Sequence, residues 1–81
     1  MQPVPGHPHV SYQYSQTPWG TMQIDCFCRV CGDQWRHECS YPQKAQVWVS
    51  KYAARHAHGN VAVQRRFTEQ YHQGLQALRR M

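Results

Sequence analysis

Two short stretches of the chain alternate between apolar and polar positions. Every second residue of 22–28 and of 34–39 is apolar, aromatic or thiol-bearing, and these residues share one face of an extended chain: Met22, Ile24, Cys26, Cys28, Trp35, His37 and Cys39. This period of two predicts two half-buried strands. The short link between them includes Gly32, so we expect the strands to form a β-hairpin.

The pattern then changes to a helical period. Apolar positions recur three and four residues apart along one face of an amphipathic helix: Ala45, Trp48, Val49, Tyr52, Ala53 and His56. Gly59 is a suitable residue to end this helix, and Asn60 can cap the next one. Residues 60–81 repeat the pattern as a C-terminal amphipathic helix, with Val63, Phe67, Tyr71, Leu75 and Leu78 on its apolar side.

The N-terminal segment, residues 1–20, shows neither period clearly. It holds four of the five prolines, mixed with Gln, Ser, Tyr and His, and no charged side chain. This composition predicts a flexible, disordered Pro/Gln/Tyr-rich tail over residues 1–20. We therefore do not count His7 and His9 among the candidate metal ligands.

Composition limits how such a chain can be stabilised. With 81 residues and a mean hydropathy of -0.81, it forms one small domain with little apolar material, so a metal ion or a disulfide is expected to contribute to folding. No stretch has the roughly 20 apolar residues of a membrane span. The N-terminus lacks the features of a secretion signal. We expect an intracellular, reducing location, which favours a metal over a Cys26–Cys39 disulfide.

The cysteines of the hairpin tip indicate which metal. Cys28 and Cys31 form a C-x2-C pair followed by Gly32, and this spacing lets two thiolates converge on one ion. Zn²⁺ suits mixed cysteine and histidine ligation. His56 is the best third ligand because it lies on the apolar face of the first helix.

The fourth ligand has three candidates. His58 ranks first, although residues two apart in a helix point about 200° away from each other, so the helix must unwind after His56. Gly59 favours such an unwinding. Cys39 ranks second and Cys26 third.

Residues 22–59 resemble a Cys2His2-type ββα zinc finger, in which Cys28 and Cys31 match the cysteine pair and His56 and His58 the histidine pair. The resemblance implies a zinc-binding ββα domain over residues 21–59 with one structural zinc ion. In this chain the whole segment 32–55 separates the two pairs, and a single residue, Ala57, separates the histidines. DNA-reading fingers have a shorter segment of about 12 residues between the pairs and a wider histidine spacing of about three to five.

The net charge of +5 comes from the C-terminal half. Lys44, Lys51 and Arg55 share one side of the first helix, and Arg65 and Arg66 begin the second. They predict nucleic-acid binding, most simply to DNA with a regulatory role. The alternative is a protein-interaction module, an adaptor or inhibitor of a larger protein. The chain is expected to be a monomer, or a homodimer through its C-terminal helix. We do not expect an enzyme, because four protein ligands leave zinc no open position.

Overall fold

The computed structural model describes residues 1–80. Four antiparallel strands form one sheet in chain order, and two helices follow. The elements are β1 (Gln2–Pro3), β2 (Val10–Gln16), β3 (Met22–Cys28), β4 (Gln34–Cys39), α1 (Pro42–Arg55) and α2 (Val61–Arg79). The predicted α+β architecture, a hairpin followed by two helices, is confirmed.

The β3–β4 hairpin has the register that the apolar pattern requires. Phe27 pairs with Gln34 at the tip, Cys26 pairs with Trp35, and Ile24 pairs with His37. Ile24 and Cys26 are almost completely buried, whereas Trp35 is half-buried at the open edge of the sheet. The apolar positions of the alternating pattern therefore face the helices, and the polar positions between them face solvent.

The prediction of a disordered tail over residues 1–20 is wrong. β2 pairs with β3 along its whole length, from Val10 opposite Cys28 to Gln16 opposite Met22, and β1 adds a short fourth strand. Val4 and Val10 belong to the buried core. The sequence did contain a signal for β2, an alternation in 10–16, but this signal was weak because tyrosines and polar residues form it. Since residues 1–20 belong to the sheet and the core, the folded unit does not begin at residue 21.

The two helices pack side by side, with α1 against the sheet. Ala45, Val49 and Ala53 of α1 are buried, and Phe67 is the buried residue of α2. A Cβ atom on Gly74 would lie 2.6 Å from Cγ2 of Val47. The glycine therefore permits the close approach of α2 to α1. No helix within residues 1–80 combines the length and apolarity needed to cross a membrane.

The connection between the helices leaves the helical path in the expected place. α1 ends at Arg55, and His56 occupies its C-cap with φ -110° and ψ 32°. His58 and Gly59 then adopt left-handed φ values of 49° and 85°. Asn60 caps α2 by accepting a hydrogen bond from the Val63 amide at 3.1 Å. The predicted unwinding after His56 and the predicted Asn60 cap are both confirmed.

Candidate metal centre

The hairpin tip folds into a tight turn that carries the first two thiols. The Gly32 amide donates to the Cys28 carbonyl at 2.9 Å, and the Cys28 amide donates to the Asp33 carbonyl at 3.1 Å. Gly32 has φ +73°, a conformation that side chains rarely adopt. The turn places Cys31 on the exposed side of the tip while Cys28 stays buried.

Two histidines from the end of α1 meet these thiols. The ligand atoms of Cys28, Cys31, His56 and His58 all lie within 4.8 Å of one another. Cys28 Sγ is 3.2 Å from His58 Nε2, and Cys31 Sγ is 3.5 Å from His56 Nδ1. The structure thus brings together the four residues that ranked first.

This donor set fits one tetrahedral ion. Zinc bonds of about 2.3 Å to sulfur and about 2.0–2.1 Å to nitrogen imply sulfur–nitrogen separations of about 3.5 Å. The Cys31–His56 distance of 3.5 Å equals that value, and the Cys28–His58 distance of 3.2 Å is about 0.3 Å shorter. All four ligand atoms lie within 4.8 Å of one another, so the largest separation exceeds a tetrahedral sulfur–sulfur edge by at most about 1 Å. Small side-chain rotations would close it, so the cluster is compatible with one metal ion.

The carboxylate of Asp33 lies on the side of the His56 imidazole that faces away from Cys31. Asp33 Oδ2 lies 3.6 Å from His56 Nε2, the nitrogen opposite the one that faces Cys31. The Tyr52 hydroxyl donates to the same carboxylate at 2.9 Å, and the Tyr52 ring stacks on His56 at 4.1 Å. Outer partners of this kind orient metal-binding histidines.

The environment also favours the uncharged form of the imidazole. Burial lowers the pKa of His56, and the carboxylate of Asp33 opposes that shift. A neutral imidazole has a free lone pair for a metal ion, so the lowered pKa assists ligation. Burial, followed by the hydrogen bond to Asp33, raises the pKa of Tyr52, which keeps its hydroxyl protonated as a donor.

Sequence reasoning missed two residues that hold this centre, His7 and His9. The buried His7 ring donates from Nε2 to the Ala53 carbonyl at 3.0 Å, and His9 Nε2 donates to the His56 carbonyl at 2.6 Å. These carbonyls are among those that a helix end leaves without an intrahelical partner. The H-x-H pattern flanked by Val4 and Val10 was the available signal.

The same N-terminal segment also holds the hairpin tip. The Arg29 amide donates to the His9 carbonyl at 3.0 Å, and the Arg29 guanidinium donates to the Pro8 carbonyl at 2.6 Å. Residues 7–9 therefore contact both the thiol-bearing turn and the histidine-bearing end of α1.

The remaining cysteines lie away from the centre. Cys39 pairs with Met22 and Cys26 with Trp35, four positions along the strand, which places them about 13 Å apart. That separation rules out the Cys26–Cys39 disulfide, whose Cα atoms must lie within about 7 Å, and all four cysteines are free thiols. Burial raises the pKa of Cys26 to about 12 and also raises the pKa of Cys39. Neither thiol belongs to the cluster found among residues 1–80.

The predicted nucleic-acid-binding residues lie on two separate surfaces. On α1, Lys44 and Arg55 are exposed, and the half-buried Lys51 lies over the rings of Trp48 and Tyr71. The Arg66 guanidinium instead packs against Gly6, in the β1–β2 loop at the opposite edge of the sheet. Arg65 is exposed on α2.

No protein-family model, curated protein or solved structure matches the chain. The geometry of the Cys/His cluster is therefore the basis for a functional interpretation. Two thiols and two imidazoles that converge from a hairpin tip and a helix end are compatible with a zinc-binding domain.

Proposed function

We propose that this protein is a small zinc-stabilised, nucleic-acid-binding regulatory protein. The observation that carries the proposal is the convergence of Cys28, Cys31, His56 and His58 beside the basic face of α1, where Lys51 and Arg55 line the same cleft as His56. The ion joins the hairpin to the helix that presents that face. DNA is the simplest target for the regulatory role.

The zinc has a structural role in this proposal. Four protein ligands complete a tetrahedral site and leave no position for a reactive water. The ligands come from two elements that are distant in the chain, so an ion bound by them joins the sheet to the end of α1. In small domains of this kind the free energy of metal binding contributes directly to folding.

Metal counting tests this part of the proposal. Native mass spectrometry of the purified protein is expected to show one zinc ion per chain, and it reports the subunit number as well. Cys31→Ala and His56→Ala are expected to lose the ion and to unfold, as judged by circular dichroism. Cys39→Ala is the matched control, because that thiol lies outside the cluster, and it is expected to keep the ion. A wild-type protein that keeps its native spectrum in excess chelator would refute the structural role.

The charge distribution supports an anionic partner. Asp25 pairs with Arg36, Asp33 lies against His56, and Glu38 accepts hydrogen bonds from Trp19 and Thr21. None of the basic side chains of α1 or α2 forms an ion pair within residues 1–80. These cations are therefore available to phosphates, which supply most of the affinity in nucleic-acid binding.

Charge reversal tests the nucleic-acid part. Lys51→Glu combined with Arg55→Glu is expected to leave the fold and zinc content intact and to abolish gel shifts. Arg79→Glu combined with Arg80→Glu changes the net charge equally at the far end of α2, and it is expected to reduce binding only slightly. An equal loss of nucleic-acid affinity in the two double variants would mean that net charge alone drives the interaction.

One observation favours the alternative of a protein-interaction module. Phe67 is the buried residue of α2, whereas Tyr71, Leu75 and Leu78 of its apolar stripe are half-exposed. Such a stripe suits a groove on a partner protein or a second copy of the chain. A salt-insensitive complex that Leu75→Glu disrupts, or a homodimer in native mass spectrometry, would support this function.

A further inference from the structure

We infer that the cleft between β4 and the exposed face of α1 binds an unpaired base of single-stranded nucleic acid. The inference rests on the proposed nucleic-acid-binding function and names the form of nucleic acid that is recognised. The cleft adjoins the candidate metal centre, because His56 and Asp33 are among the residues that line it.

The cleft has the size and walls of a small-ligand site. Its volume is about 340 Å³, within the range of about 300–1,000 Å³ that is usual for small-molecule pockets. Trp35 of β4 and Trp48 and Tyr52 of α1 form its aromatic walls. The Trp35 and Trp48 ring centroids lie 6.2 Å apart, and the two ring planes are tilted by 45°.

The ring of Trp48 offers a stacking surface. Trp48 is half-exposed, and the Lys51 ammonium sits over its ring at 5.1 Å from the centroid. The ammonium is mobile on a flexible stem, so a base can replace it on the ring while the lysine turns to a phosphate. Base stacking on aromatic side chains tolerates any sequence, because every base has a π-face.

Cations lie where the backbone of a bound strand would run. Lys51 and Arg55 are one helical turn apart and both line the cleft. Lys44 extends the row to about 16 Å along α1, enough for several phosphates. The acidic residue of the cleft, Asp33, directs its carboxylate to the Tyr52 hydroxyl and to His56, on the side of the metal centre.

The packing of α1 disfavours a duplex. A helix that reads the major groove must enter a channel about 12 Å wide, and a helix with its side chains is about 10–12 Å across. Here α2 lies against α1 through Gly74 and Val47, and the edge of β4 lies on the other side. With α2 and the sheet packed on it, α1 has only part of its circumference free to enter a groove that a helix nearly fills, whereas a single strand can follow its open side.

Fluorescence anisotropy with the zinc-loaded full chain tests the inference. The probes are a 12-nucleotide single strand of mixed sequence, an abasic strand of equal length, and a 12-base-pair duplex. We expect the abasic strand to bind about 5- to 150-fold more weakly than the base-bearing strand, from the stacking of one base. Equal affinity for the base-bearing and abasic strands would overturn the inference while leaving phosphate binding intact. Failure of all three probes to bind would instead refute the proposed function.

Two variants locate the binding surface. Trp48→Leu is expected to reduce binding of the base-bearing strand to the level of the abasic one, and Trp19→Leu, at a site 69% exposed on the β2–β3 turn, is the matched control. If three cations contact phosphates, the logarithm of affinity should fall with the logarithm of salt at a slope of about -2. Lys51→Gln with Arg55→Gln should remove about 1.4 from that slope. An unchanged salt slope, or an equal loss of affinity in the two tryptophan variants, would show that the strand does not bind in this cleft.

Discussion

The carboxylate of Asp33 is expected to raise zinc affinity through His56. When His56 binds a cation through Nδ1, its Nε2–H carries part of the positive charge, and Asp33 Oδ2 lies 3.6 Å away. Asp33→Asn removes the negative charge but keeps an oxygen that can accept the Tyr52 hydroxyl. The substitution therefore isolates the electrostatic contribution from the hydrogen bond.

The magnitude follows from the distance and the exposure. The Asp33 side chain is 47% exposed, so a solvent-like dielectric constant applies, and two full charges at 3.6 Å would interact by about 1.2 kcal/mol, which is the upper limit for the partial charge on Nε2–H. That value corresponds to about sevenfold in the dissociation constant for zinc. It lies near the weak end of the roughly 10- to 100-fold effects that outer partners of metal ligands have.

Competition with a chromophoric chelator at pH 7.5 measures this change. Asp25→Asn is the matched control, because it removes the same charge from an ion pair with Arg36 on the solvent face of the sheet. A dissociation constant that changes less than twofold in Asp33→Asn, or an equal change in both variants, would refute the reasoning.

Three further predictions concern stability and thiol reactivity. Burial is the main cause that lowers the pKa of His7 below 6.5, so the unfolded chain binds a proton that the native chain does not. The free energy of unfolding should be at its full value above pH 6.5. As the pH drops below 6.5, it should fall by up to about 1.4 kcal/mol per pH unit more in the wild type than in His7→Gln. If urea unfolding at pH 7.5, 6.5 and 5.5 gave the same difference in free energy between the two proteins, the prediction would be contradicted. Gly74→Ala should destabilise the wild type by about 1–3 kcal/mol through contact with Val47, yet stabilise a Val47→Ala background by up to about 1 kcal/mol, measured by denaturation. Cys26, with its pKa raised to about 12, should resist iodoacetamide at pH 8 until urea unfolds the protein; rapid labelling in the native state, read by peptide mass spectrometry, would show that this thiol is accessible.

Local patterns were sufficient for the β3–β4 hairpin, for the two helices and for the four residues of the Cys/His cluster. The alternation in 22–28 and 34–39, the helical period in 45–56 and the glycine and asparagine at 59–60 act over a few positions, so each could be interpreted without the rest of the chain. The Cys28–Cys31 spacing indicated a metal for the same reason. His58 could be ranked because a helix that ends at glycine can unwind.

Only the tertiary structure decided what residues 1–20 do and which surfaces combine. The strand β2 is stabilised by its pairing with β3, a separate segment further along the chain, and neither proline content nor hydropathy reports such a pairing. The same applies to His7 and His9, which bind carbonyls 46 and 47 residues away. It applies as well to the division of the basic residues, where Lys51 joins the aromatic cleft and Arg66 packs on Gly6 at the other edge of the sheet. Contacts between distant residues depend on how the elements pack, and packing is a property of the whole chain rather than of any short segment.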